Sequence, residues 1–523
     1  MANGYLLAHD LGTSGNKATL YDTNGRLVGS AVYAYDTMYP HSRWVEQDPE
    51  DWWKAVCVTT RTLLQEAAAK ASDILCVSFS AQMMGCLLVD KQGSPLRPMI
   101  TWADSRAWAE EDWMQARVGA ERGYHITGHR LSASYSAAKL LWVRAHEPDV
   151  YRRADKMIHA KDYIVFRLTG RLVTDFSDAS GTNLLDIQKK MWSEELISAF
   201  ELRRDLLPEL HPSTDVAGRV TAEAARACGL LEGTPVVIGG GDGSCACVGA
   251  GVVKEGRAYN VIGTSSWISS AARQPYFDPQ MRTFNWVHLD PTLYTPCGTM
   301  QAAGLSYQWY KNTLCGGEAA QAERTGRSVY ALLDEAAAAA RPGAGGVLYL
   351  PYLIGERSPQ WNLNARGAFV GLHASTQKGD LSRAVLEGVG CNLRIILEAF
   401  AATQTLDNII MIGGGAKGRT WLRILADIWQ RTLLVPAYIE EATSLGAAVC
   451  GGVGIGLFKD FEACRAFNPI VDEIRPNPAH KTVYDTLFSF FQQTYDQLVP
   501  VYDRLADARE LHRPGGAETG GAL

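Results

Sequence analysis

Tyr5-Leu-Leu-Ala-His-Asp-Leu-Gly-Thr-Ser-Gly-Asn-Lys17 decides the reading of this chain, because part of it returns near the middle as Tyr259-Asn-Val-Ile-Gly-Thr-Ser-Ser-Trp267. In both, an apolar strand runs into Gly-Thr-Ser, a tight turn whose backbone N–H groups and hydroxyls can wrap a phosphate. A single Gly-Thr-Ser would be an ordinary turn. Two, half a chain apart, predict two similar domains gripping one polyphosphate from both sides, through Gly12, Thr13 and Ser14 on the first and Gly263, Thr264 and Ser265 on the second.

The rest of the composition agrees with a large globular protein. At 523 residues the chain can build two large domains, each with its own core. With 47% hydrophobic and 20% charged residues and a net charge of −6, it has no basic surplus for nucleic acid. The amino terminus lacks a basic region followed by an apolar core, so no signal peptide is expected. The longest apolar-plus-glycine run, residues 447–458, is too short to span a bilayer. The eleven cysteines form no Cys-x-x-Cys, and Cys245-Ala-Cys247 is too close for a clamp; they read as reduced cytoplasmic thiols filling the core.

Along the first half, strands are expected at residues 6–9, 17–22 and 27–35, with Asn24-Gly25 turning the last two into a hairpin. An amphipathic helix follows over residues 50–71, capped by Asp48, then strands at 74–78, 85–89 and 234–238. The second half begins near Val252. It repeats the hairpin and continues with helices over 330–340, about 380–403 and after Gly415, and strands at 346–350 and 408–412. Alternating strands and helices give an α/β fold. The boundaries are drawn at 1–250 and 251–505, with 506–523 a disordered tail, its Gly- and Pro-rich part starting at Arg513. No Pro-, Gly- or Ser-rich linker parts the halves, so they should touch and hinge.

Asp10 precedes the first turn, where phosphate would repel it unless a cation lies between; it is therefore the candidate Mg²⁺ group, directly or through water. Asp242 ends a strand after Gly239-Gly-Gly, where backbone can approach a ligand closely. Beside the phosphate grip it becomes the candidate base for an attacking hydroxyl and a second metal group. Residues 413–418 fit G-x-G-x-x-G, follow a strand and open a helix, with Glu440 or Glu441 further on, as a dinucleotide site would require. Such loops arise often by chance among 50 glycines, and this one is read as receiving the adenosine. In Trp102-Ala-Asp104-Ser-Arg106 a tryptophan face could stack on a sugar and the charged pair could bond its hydroxyls, although spacing alone favours a core tryptophan beside an ion pair. Trp44, Trp52 and Trp53 are given no functional role, the last two being explained by the amphipathic helix.

On these residues the chain resembles the FGGY carbohydrate kinases, over essentially residues 5–505, and within them is most similar to xylulokinases. Ser134-Tyr-Ser-Ala-Ala-Lys139-Leu-Leu-Trp142, Gly239-Gly-Gly-Asp242 and Pro351-Tyr-Leu-Ile-Gly-Glu356-Arg357-Ser-Pro359 stand where that family's motifs stand. Gly367-Ala-Phe-Val-Gly371-Leu372, followed by Asp380-Leu381 and Ala384-Val-Leu-Glu387, matches the carboxy-terminal signature. The resemblance implies two actin-like, ribonuclease H-like ATPase domains with a cleft between them, transferring the γ-phosphoryl of MgATP to a sugar. It implies Asp242 as base, and Thr13, Lys17, Thr264, Gly304, Gln308, Gly414, Gly415 and Ala416 around the nucleotide. Gln82, Met83 and Met84 fall on the sugar-contact segment, with Trp102, Asp104 and Arg106 lining the same pocket.

The departures from the pattern concern the sugar. Xylulokinases usually carry Gln-Met-His where this chain has Gln82-Met83-Met84, the family's Asp-Asn or Asp-Gln becomes Asp242-Gly243, and Ala145 replaces a usually polar residue. D-xylulose is the first expected acceptor; the alternatives are another ketose, a polyol or a sugar acid, of the ribulose, gluconate, erythritol or glycerol class. Two other classes fit parts of the pattern: an actin-like ATPase without kinase activity, which as a chaperone would lack a peptide-binding domain, and an NAD-dependent oxidoreductase resting on residues 413–418 alone. The expected partners are the sugar and ATP, without nucleic acid or membrane, and with a homodimer as the candidate assembly.

Overall fold

The apolar run at residues 6–8 and the Gly-Thr-Ser turn after it fold as the sequence pattern demands. Tyr5–Leu11 is a buried central strand that turns back into the antiparallel strand Gly15–Asp22. The structure is a computed structural model, and it describes residues 4–511. Its chain packs into two units. Unit 1 comprises residues 4–259, 269–297 and 436–470; unit 2 comprises residues 260–268, 298–435 and 471–511. Residues 269–297 and 436–470, late in the chain, thus fold with the amino-terminal residues.

The main sheet of unit 1 runs in the order Val216–Arg219, Pro235–Val237, Ile74–Ala81, Tyr5–Leu11, Gly15–Asp22, Leu27–Ala34, and the short strand Gly240–Gly241 also pairs with Ile74–Ala81. Alternation along the central strand splits its side chains between two cores. Leu7 and Leu11 join Trp52, Val56 and Ile164 on one face. Leu6 and Ala8 join Val248, Leu445 and Val449 on the other. That second face is covered by the helices Asp242–Gly249 and Ala442–Gly454. Their crossing requires glycine: a Cβ on Gly249 would lie 1.8 Å from the Ala442 carbonyl oxygen, and one on Gly446 would lie 1.9 Å from that of Cys245. The helix Pro49–Glu66 starts where expected, Asp48 accepting the Glu50 N–H at 3.0 Å, but stops short of residue 71.

Unit 2 carries the second Gly-Thr-Ser turn between Ala258–Ile262 and Ser266–Ser270. Ala258–Ile262 is followed in its sheet by Asn408–Ile412, Thr432–Pro436 and Ile470–Ile474. The helices Val329–Ala339, Lys378–Ala401 and Arg419–Trp429 match the expected segments within three residues. The last helix, Lys481–Leu511, runs past residue 505, and the tail expected from Arg513 lies outside the described residues. No helix among the described residues is long and apolar enough to cross a membrane. All eleven cysteines are free and buried.

Candidate active site

Strand register assembles the site of unit 1. Asp10 stands opposite Lys17 on one neighbouring strand and Ser80 on the other, and Ser80 in turn stands opposite Gly240; Leu11 is level with Ala81, and Ala81 with Gly241. The segments that leave these strands therefore begin side by side: Gly12–Ser14, Gln82–Met84 and Asp242–Gly243. This is the carboxyl edge of a sheet, where α/β proteins place their chemistry.

Three side chains that pack around the first turn hold it in shape. Tyr35 Oη donates to the Gly12 carbonyl, Gln47 Nε2 to the Thr13 carbonyl, and Trp102 Nε1 to Thr13 Oγ1 at 2.9 Å. Gln47 is itself held by Trp52 Nε1 at 3.2 Å and by Gln82 Nε2 at 2.6 Å. Trp52, given no role from sequence, therefore supports the phosphate turn at one remove. Lys17 Nζ donates to the Glu440 carbonyl at 3.0 Å and lies 3.7 Å from Glu441. Those two acids belong to unit 1, whereas the loop of residues 413–418, read as receiving the adenosine, belongs to unit 2.

The two candidate acids differ in environment. Asp10 accepts hydrogen bonds from Ser80 at 2.8 Å and from Thr443; burial pushes its carboxyl up, against the pull of these hydroxyls and of Lys17. Asp242 opens the helix Asp242–Gly249 and accepts the Gly243 N–H at 2.7 Å. Although ringed by protein, its side chain remains partly accessible. Burial, then the charge of Asp10 and to a lesser extent of Asp178, push its carboxyl up to about 7, opposed by the Gly243 N–H. A carboxylate poised there is suited to take a proton near neutral pH. An acid whose proton affinity is raised by a neighbouring acid also forms with it a donor set that fits a divalent cation, whose charge would relieve the repulsion on Asp242.

Of the three glycines before Asp242, the first is required by the backbone and the other two are closely packed by side chains. Gly239 has φ +74°, and a Cβ there would meet the Phe79 carbonyl oxygen at 2.0 Å. A Cβ on Gly240 would strike Leu289 and Ser177, and one on Gly241 would lie 2.3 Å from Met83 Sδ. Beneath this turn lies a network that sequence reasoning missed. Ser177 Oγ accepts the Gly241 N–H at 3.0 Å and donates to Asp175. Lys161 Nζ sits 2.6 Å from Asp162, 3.2 Å from Asp175 and 3.6 Å from Asp178. His159, Asp162 and Asp178 gather their ligand atoms within 4.8 Å, but the Lys161 ammonium already supplies a cation to these acids, so they make a buried ion nest rather than a metal site.

Asp104 and Arg106 do not act as sugar arms. Both are buried, and Arg106 donates to Asp104 at 2.7 Å and to Glu46 at 2.8 Å. Its guanidinium lies 3.8 Å from the Trp44 ring centroid and 4.9 Å from that of Trp142, and Asp104 accepts the Val45 N–H. The pair fastens the segment around Trp44 instead, as the spacing alone had favoured. Met83 is buried against Gly241, whereas Met84 is half-buried with φ +63° and its carbonyl accepts Lys139 Nζ at 2.8 Å.

In unit 2 the second turn carries the start of a helix. The N–H groups of Ala303 and Leu305 donate to the Thr264 carbonyl, and Gly304 N–H to that of Gly263 at 2.9 Å. A Cβ on Gly304 would lie 2.3 Å from the Gly263 oxygen, so only glycine fits. Gly413, at φ +85°, and Gly415 press against Ile262, bringing the loop of residues 413–418 beside the turn. Between them opens a cavity of about 600 Å³, whose walls include Thr264, Gly304, Gln308, Gly414 and Gly415. Tyr307, Tyr330 and Trp421 add an aromatic side, and Asp334 accepts the Tyr307 hydroxyl at 2.9 Å. Among the expected nucleotide residues, Ala416 is buried and stands outside these walls. Tyr330 and Asp334 escaped sequence reading because an Ala-rich helix explained residues 330–340 without them, and Tyr307 and Trp421 because they come from two other helices.

The amino-terminal domain model of the FGGY family of carbohydrate kinases matches residues 5–249, and its carboxy-terminal domain model matches residues 258–455. The chain belongs to the FGGY family of carbohydrate kinases. It is an ATP-dependent sugar kinase, of a kind that works with a divalent cation. It is 32% identical over 493 residues to the xylulose kinase of Bacillus subtilis (strain 168), covering 94% of this chain and 96% of that protein. A solved gluconate kinase from Lactobacillus acidophilus superposes with a TM-score of 0.90 at 28% identity, covering 96% of this chain and all of that one. A ligand-bound xylulose kinase from the same organism follows at 0.89 and 28%, with the same coverage. These neighbours agree with reading the two sheets as actin-like ATPase domains.

Proposed function

We propose that the kinase phosphorylates D-xylulose to D-xylulose 5-phosphate, with Asp242 as the base. The observation that carries this reading is the Asp242 carboxyl, raised to about 7 at the head of its helix and level with the Met83–Met84 segment. The charged groups acting on it, Asp10 and Asp178, are both acidic. Asp178 is itself paired with Lys161 at 3.6 Å, so this charge does not choose the acceptor; the 32% identity to a xylulose kinase over 94% of the chain supports a pentulose over a sugar acid such as gluconate.

In the reaction, Asp242 accepts the proton of the acceptor hydroxyl while that oxygen attacks the γ-phosphorus and ADP departs. Thr13 and Thr264, each at the tip of its turn, offer hydroxyls and backbone N–H groups to phosphate oxygens, and Gly304 lets the following helix start close to the second turn. Tyr307, Tyr330 and Trp421 give the base and ribose a stacking wall, with Asp334 facing the ribose hydroxyls. Asp10 and Asp242 would hold Mg²⁺, which when bound neutralises phosphate charge. Eleven buried thiols suit a reducing compartment, so we place the enzyme in the cytoplasm.

The test is ADP release across pentuloses, hexuloses, polyols and aldonates. D-xylulose should give the highest kcat/KM; a preference for gluconate would overturn this assignment.

A further inference from the structure

Position 243 is glycine, and its missing side chain leaves a gap over an indole. A Cβ there would lie 3.6 Å from Trp286 Nε1 and 3.7 Å from Cδ1, ordinary contact distances with nothing nearer. Trp286 is itself 7% exposed, wedged between His129, at a centroid distance of 4.4 Å, and Phe284, at 5.4 Å. Buried tryptophans ordinarily find an acceptor for their N–H. The buried Trp52, Trp192 and Trp429 each do so here, as does the half-buried Trp102, whereas the Trp421 Nε1–H has no partner among the described residues. The Trp286 Nε1–H donates to no protein group among the described residues, and it is not sealed from solvent.

The surroundings say what such a donor would meet. The opposite edge of the ring faces Gly181, where a Cβ would lie 3.2 Å from Trp286 Cζ3, 3.2 Å from Met84 Cγ and 3.5 Å from Met83 Cε. The indole thus belongs to the same pocket as the two methionines, and the residue that lies over it, Gly243, follows the base directly. Thioethers are weak acceptors and carry no donor, so the indole is a strong fixed donor on a largely apolar wall.

We propose that the Trp286 Nε1–H is a specificity-determining donor that binds the sugar hydroxyl on the carbon next to the one phosphorylated. Adjacent residues 242 and 243 set the spacing: the base takes one hydroxyl and the indole, reached across Gly243, takes its vicinal neighbour. The substrate class it selects is a neutral sugar with vicinal hydroxyls at the phosphorylated end. The inference rests on the sugar-kinase reading of Asp242 and adds the second contact of that pocket.

The experiment compares D-xylulose with its 4-deoxy and 3-deoxy analogues in the wild type, Trp286→Phe and Gly243→Ala. A neutral hydrogen bond of about 1.4 kcal/mol corresponds to tenfold. The wild type should therefore lose about tenfold or more in kcat/KM on the 4-deoxy sugar. In Trp286→Phe the parent sugar should lose a similar factor, the 4-deoxy penalty should nearly vanish, and the KM for ATP should stay unchanged. Gly243→Ala adds a methyl at van der Waals distance from the indole N–H, so it should keep the wild-type melting temperature while raising the KM for D-xylulose. A 4-deoxy penalty that persists in Trp286→Phe, or one that is no larger than the 3-deoxy penalty in the wild type, overturns the proposal. Failure of the xylulose reading looks different: the wild type then turns over another sugar, and the same comparison on that sugar's vicinal-deoxy analogue decides the role of Trp286.

Discussion

Replacing Asp242 with asparagine should stabilise the free enzyme while disabling it, and the size of that trade can be worked from its surroundings. The folded carboxyl is held near 7 against an ordinary 3.8, first by burial and then by Asp10. A carboxyl raised on folding binds its proton more tightly in the native state, so the wild type loses stability as pH rises from about 4 to 7 and has lost all of it above 7. Three units correspond to about 4 kcal/mol, an upper limit because the side chain is partly accessible and local relaxation reduces the penalty. Asparagine keeps the shape and an oxygen for the Gly243 N–H, and it carries no charge. Asp242→Asn should therefore gain about 1–4 kcal/mol over the wild type at pH 8 and about a quarter of that at pH 4.5. Differential melting across that range, without nucleotide or metal, reads the gain. Turnover on D-xylulose should fall by roughly 10²-fold or more, with ATP binding nearly unchanged. A stability difference that does not depend on pH would refute the electrostatic account. Turnover above about a tenth of wild type would move the base elsewhere.

Asp10→Ala should raise the divalent-cation concentration needed for half-maximal activity, read by titrating magnesium at saturating ATP; an unaltered curve would make Asp10 only a partner of Ser80 and Thr443. Met84→His should fold as well as wild type, since histidine enters the left-handed backbone region at φ +63° more readily than most residues, and it should shift relative kcat/KM across the sugar panel. Asp334→Ala should raise the KM for ATP by about tenfold while leaving that for sugar unchanged, because the residue lines only the unit 2 cavity. Arg106→Ala should lower stability by about 3–5 kcal/mol by stranding Asp104, Glu46 keeping Arg97 at 2.6 Å, as thermal unfolding would show; a folded variant with only a raised sugar KM would restore the sugar-arm reading.

Much of the fold was legible because strands and turns speak locally. The first strand had its apolar run before Gly-Thr-Ser, Asn24-Gly25 its hairpin and Asp48 its cap, and each formed within a few residues of its reading, as did the strand Asn408–Ile412. What lacked a local signal was the return of residues 436–470 to unit 1. That return depends on Gly249 and Gly446 letting two helices touch backbone to backbone, a pairing between positions nearly two hundred residues apart. A glycine in a helix reads as a weakness until its partner is known.

The candidate site divides along the same line. Asp10, Thr13, Asp242 and Thr264 were readable because a charge or hydroxyl beside a glycine turn has few uses in an apolar strand end. The ion nest beneath them was not, for Lys161, Asp175 and Asp178 look like surface charges when taken singly, and they become interior only through one another. Asp104 and Arg106 show the converse: residue types suited to a sugar were consumed by Glu46 and two tryptophan faces. Charge type nominates a site residue, but partners already in contact decide whether any bonding capacity is left for a ligand. By that criterion the indole of Trp286, a neutral group no motif singles out, has a stronger claim on the substrate than the guanidinium of Arg106.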